Sequence, residues 1–135
     1  AGVAAYYNND YHYEIYVGCE QDEKYIGFYK HIHDMGAELV RIPVSKEEEN
    51  MMLLIKIDTD REKYVFSYAL ADTTDINAKI AYKQIGSGLN AGLSTEGTRT
   101  MTFTGTLFSL FAEEGNGVFE SGVQLDINPD ENYKL

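Results

Sequence analysis

The chain has 135 residues, 44% of them hydrophobic, with 22 acidic against 11 basic side chains and a net charge of −11. That length sets one domain, able to bury roughly two-thirds of its unfolded surface. The charge repels phosphate backbones and anionic lipid, so neither nucleic acid nor membrane is expected as a partner. The longest apolar run, Met51 to Ile55, is far below the ~18 residues of a spanning helix. No secretory leader is read, and a start at Ala1 rather than Met implies an excised or processed piece. The single cysteine, Cys19, excludes an internal disulfide. In strand pattern beside Val17 it is expected as a small buried hydrophobe, with the compartment leaning to the cytoplasm.

Along the chain the period is two almost everywhere. The opening, Ala1 to Gly18, is dense in aromatic and β-branched residues that suit a pleated surface. Asn8-Asn9-Asp10 divides it into two strands, because Asn and Asp tolerate left-handed backbone and bond their own main chain. Tyr11, Tyr13, Ile15, Val17 and Cys19 then alternate with His12, Glu14, Tyr16 and Gly18. From Lys24 to His33, Ile26, Phe28, Lys30 and Ile32 alternate with Tyr25, Gly27, Tyr29 and His31. A turn is expected at Asp34 to Gly36, then a strand from Leu39 to Val44. Lys46 to Asn50 reads as a charged loop. Met51–Asp58 and Lys63–Leu70 form a hairpin joined by Thr59 to Glu62, with Tyr64, Phe66, Tyr68 and Leu70 facing inward. Thr74 to Lys83 carries a trace of helical period. Ile80–Ile85, Met101–Glu113 and Phe119–Ile127 complete about nine strands at the spacing of an all-β domain. Residues 1–127 are thus expected as an all-β, two-sheet antiparallel sandwich, and 128–135 as a loose tail.

Chemical constellations are sparse. Glycoside hydrolysis needs two carboxyls about 5 Å apart, or about 6.5–9.5 Å for inversion. The acids here sit mostly in turns, such as Asp22-Glu23 and Glu47-Glu48-Glu49, where solubility explains them, and no catalytic pair is assigned. His31-x-His33, with Asp34 beside it, places two imidazoles on one strand face as half of a zinc site, but no further ligands are evident. Asp126-x-Asn128-x-Asp130 opens like a calcium loop but has Glu131 where glycine belongs. No metal or cofactor is assigned. Gly86 to Gly92 lacks both phosphate-binding spacings and reads as a flexible connection. Eleven Tyr and six Phe without Trp leave sugar stacking open. Tyr16, Tyr25 and Tyr29 fall on the face alternating with the apolar set.

Ala1-Gly2-Val3, Tyr6-Tyr7-Asn8, His12-Tyr13, Leu93-Ser94-Thr95-Glu96 and Phe103-Thr104-Gly105 follow one another in the order of a known pattern. In these motifs the chain resembles the C-terminal concanavalin A-like β-sandwich (jelly roll) of glycoside hydrolase family 43 β-xylosidases and α-arabinofuranosidases. The resemblance runs from Ala1 to about Ile127 and implies that further sandwich strands precede the Ala-Gly-Val strand in the family. It also implies an ancillary, non-catalytic role: bracing a separate catalytic β-propeller and helping close its pocket for short xylo-oligosaccharides, with a homo-oligomeric parent enzyme. An aromatic side chain of the sandwich then reaches the pocket mouth, and Phe103 is the substrate-binding candidate. Its alternation with Leu107 and Phe111 around Gly105 is also the pattern of a core strand, the reading given more weight. An independent carbohydrate-binding module, or a purely structural sandwich, remains the alternative.

Overall fold

The computed structural model describes residues 1–72, 79–100 and 105–113. Its strands are β1 (Gly2–Asn8), β2 (Tyr11–Glu20), β3 (Glu23–Ile32), β4 (Met35–Pro43), β5 (Met52–Thr59), β6 (Lys63–Ala71), β7 (Lys83–Leu89) and β8 (Leu107–Phe111). A short helix, α1 (Thr95–Thr98), follows a 3-10 turn at Asn90–Leu93. Two antiparallel sheets result, ordered β4-β3-β2-β1-β8 and β5-β6-β7. No helix among the described residues is long and apolar enough to cross a membrane.

Local chemistry sets the first hairpins. The Asn8 side-chain oxygen accepts from the Asp10 amide at 2.9 Å, turning β1 into β2. Gln21 and Asp22 both take left-handed φ, 51° and 62°, which matches the twist of a tight hairpin from β2 to β3. Tyr16 consequently faces Gly27 and Tyr25 faces Gly18 across the β2–β3 pair. Between Phe28 and Tyr29 the β3–β4 register slips by one residue. That bulge places Leu39 outside the alternation, so β4 starts at Met35 and the turn lies at His33-Asp34, earlier than the side-chain pattern indicates.

The core lies between the sheets. Ala5, Tyr7, Tyr11, Tyr13, Ile15, Ile26 and Phe28 meet Phe66, Tyr68, Ile85 and Leu93, all buried. The expected inward set of β6 is present, with Tyr64 and Leu70 packed at its margin. Tyr13 donates its hydroxyl to the Leu89 carbonyl at 2.8 Å, and burial pushes its phenol up to about 12. Its aromatic body can therefore be buried without leaving an unpaired hydroxyl.

Three expectations are corrected. Gly86 to Gly92 is no flexible connection: Lys83–Leu89 is strand β7, paired with β6, and the 3-10 turn follows. Its glycines leave room for rings from the facing sheet, since a Cβ at Gly86 would collide with Phe28 and one at Gly88 or Gly92 with Tyr13. The strand expected at Ile80–Ile85 accordingly begins at Lys83 and runs to Leu89, and residues 79–82 are irregular. Cys19 is exposed rather than buried. β2 overruns β1 there, leaving Cys19 opposite exposed Lys24 beyond the core. The strand expected at Met101–Glu113 appears as β8 in its described part, Leu107–Phe111. Phe119–Ile127, the tail, the calcium-like loop and 74–78 of the helical trace lie outside the described residues, and 79–83 of that trace are not helical.

Candidate functional site

Two regions carry side chains capable of recognition. The first is the end of the sandwich where Tyr7 meets the segment from Leu93 to Thr95. Leu93 is buried in the core. Ser94 caps α1 by accepting from the Gly97 amide at 3.1 Å. The Tyr7 hydroxyl lies 2.8 Å from the Thr95 hydroxyl and also donates to the Thr100 carbonyl. Thr106 donates its hydroxyl to the Leu93 carbonyl at 2.7 Å. Gly105 has φ +70°, a left-handed backbone that suits glycine. Both flanks of the segment 101–104 are thus tied to this end, through Tyr7 of β1 on one side and Leu93 on the other. Phe103 itself lies outside the described residues.

The second region is the outer face of the five-stranded sheet. Tyr6, His12 and His31 form one cross-strand row, with the His12 and His31 rings stacked at 5.2 Å and 5° and Tyr6 at 5.9 Å from His12. Tyr29 lies 6.1 Å from His12. Nearer β4, Tyr16 meets Tyr25 edge-on at 6.2 Å, and the Arg41 guanidinium sits 3.8 Å above the Tyr25 ring. Arg41 binds Glu38 at 2.6 Å and also Glu20, while Tyr16 donates to Glu38. Alternation therefore places Tyr16, Tyr25 and Tyr29 on the expected face. Their partners Glu38 and Arg41 are visible only through the hairpin register and the β4 bulge.

Protonation follows from these contacts. The Glu14 carboxylate, 3.0 Å from His12 Nε2, raises the imidazole above its ordinary 6.5 against the opposing pull of burial. The Asn8 carbonyl near Nδ1 adds to the effect. The Arg41 hydrogen bond holds Glu38 below the usual carboxylate range. A raised folded-state pKa contributes stability fully below the unfolded value of 6.5 and loses it as pH climbs through the folded value. Urea midpoints should therefore fall as pH climbs above the unfolded value of 6.5, and His12→Gln should flatten that slope. An unchanged slope in the variant would contradict this assignment.

His31 and His33, weighed as half of a zinc site but preferred as surface or interface histidines, are directed to different partners. His31 directs Nδ1 to the Asp10 carbonyl at 3.0 Å and stacks on His12. His33 sits in the left-handed turn at φ 59°, exposed, 3.9 Å from Asp34 and near Tyr11, whose ring belongs to the inner face. No group of three or more metal-ligating residues occurs among the described residues. A cleft of about 570 Å³ extends the core between Ile26, Ile42, Tyr68 and Leu70, with Glu48 and Lys83 at its rim. Its apolar floor continues the inter-sheet packing.

A comparison with curated proteins finds no match. The family model for the β-xylosidase C-terminal concanavalin A-like domain matches residues 1–122. With an all-β, two-sheet architecture, the chain belongs to the C-terminal concanavalin A-like domain family of glycoside hydrolase family 43.

Proposed function

We propose that this sandwich is the non-catalytic, ancillary domain of a β-xylosidase or α-arabinofuranosidase. In that role it braces the catalytic propeller and helps close the pocket that receives short xylo-oligosaccharides. The observation that carries the reading is the convergence of Tyr7, Leu93, Ser94, Thr95, Thr100 and Thr106 at one end of the fold. Those contacts spend the family motifs on holding both flanks of the segment that contains Phe103. A tethered segment can present an aromatic side chain to a neighbouring domain at little entropic cost. We further propose a cytoplasmic, homo-oligomeric parent enzyme; the exposed thiol of Cys19 fits a reducing compartment.

Phe103→Ala in the parent enzyme tests the pocket role. The expected result is a lowered kcat/KM for short substrates with the melting temperature nearly unchanged. Loss of about 3–5 kcal/mol of folding stability, with unchanged kinetics per folded molecule, would place Phe103 in the core instead.

A further inference from the structure

The outer face of the five-stranded sheet has a feature that the pocket role leaves unused. Its tyrosines reach across to glycines on the neighbouring strand. A Cβ at Gly27 would collide with the Tyr16 ring, one at Gly18 with Tyr25, and one at Gly36 with the Tyr29 hydroxyl. Each ring is laid over a gap in the side-chain layer, which forms a low aromatic surface across β2, β3 and β4. Arg41 caps Tyr25, so the half-exposed rings without a guanidinium above them are Tyr6, Tyr16 and Tyr29.

Most charges on this face are paired, and Glu23, opposite Glu20, adds a further carboxylate. Glu20 and Glu38 share Arg41, and Glu14 pairs with His12. Lysine is absent from the outward positions of β1 to β4, because Lys24 and Lys30 alternate with Tyr25 and Tyr29 on β3. Glu14, Glu20, Glu23 and Glu38 against Arg41 and His12 leave the face net negative, while fixed carboxylate, guanidinium and phenol groups border the rings. Flat C–H faces edged by hydroxyls complement such a surface, and an anionic ligand does not. We propose that this face is a binding platform for a neutral oligosaccharide, separate from the sandwich end that flanks Phe103. Stacking on tyrosine without tryptophan sets the affinity on the order of millimolar.

Amide NMR titration of the 135-residue chain with xylotetraose and, separately, cellotetraose tests the platform. The choice of a xylan fragment rests on the proposed function, whereas the platform does not, so binding of either sugar at this face supports it. The expected result is fast-exchange shifts concentrated at Tyr16, Gly27, Tyr29, Glu38 and Arg41. Tyr29→Ala should weaken binding about 5- to 10-fold. Tyr16→Phe keeps the ring and should retain most of the affinity even if Tyr16→Ala fails to fold. Absence of shifts with both sugars, shifts confined to the Thr95–Thr106 end, or full affinity in a folded Tyr29→Ala variant would each overturn the proposal. A face that seats another protein domain would leave these signals unmoved by sugar and count with the first of those results.

Discussion

Gly86→Ala should destabilise the chain by about 1–3 kcal/mol, even though alanine ordinarily favours a strand over glycine. Removing the freedom of glycine from the unfolded chain is worth only about 0.5–1 kcal/mol in the other direction. The strain wins because the added methyl points at Phe28, a ring buried to 1% exposure with no solvent into which to retreat. Gly88→Ala should behave alike against Tyr13, whose ring is held by its hydrogen bond to Leu89. Urea unfolding measures the loss, and a second change identifies its cause. Phe28→Leu in the Gly86→Ala background should cost less than the sum of the two single changes, since each relieves the crowding the other meets. Additive losses, or a more stable Gly86→Ala, would contradict the packing described.

Phe66→Ala should cost about 3–5 kcal/mol. Phe66 is fully buried on the central strand of the three-stranded sheet, and its ring lies 5.2 Å from that of Phe28. Truncation removes its transfer free energy and opens a cavity between two sheets whose hydrogen-bonded ladders resist collapse. Against a typical net stability of about 5–15 kcal/mol, the variant would approach marginal folding at 37 °C. The urea midpoint should fall with little change in slope. Met35→Ala, 73% exposed at the sheet edge, should stay within about 0.5 kcal/mol and serves as the control.

The elements legible in the sequence were those whose local chemistry and alternation agree. Asn8 to Asp10 supplies its own turn, and the β5–β6 hairpin alternates cleanly. β7 was hidden because a strand is recognised by its side chains. At Gly86 and Gly88 the volume comes from Phe28 and Tyr13 on the other sheet, so the segment resembles a loop until the tertiary packing is known. The start of β4 was obscured by one inserted residue, Leu39, which breaks the alternation without a turn signal. Cys19 followed the apolar parity of β2, but parity cannot tell where the facing sheet ends. The same limits apply to the candidate sites. The parity of Tyr16, Tyr25 and Tyr29 was readable from β2 and β3 alone. Their association with Glu38 and Arg41 depends on a register slip, and the His12–Glu14 pair was concealed by ordinary alternation. The resemblance-bearing motifs proved to be structural in their described parts, as Leu93 fills the core and Ser94 caps a helix.

The ancillary role is tested most directly by assaying the purified 135-residue chain for hydrolysis of nitrophenyl β-xylosides and α-arabinofuranosides. The proposed role leaves this chain without a catalytic carboxylate pair, so no turnover above the uncatalysed rate is expected. Hydrolysis that survives repurification, and is abolished by replacing a single carboxylate of this chain, would contradict it.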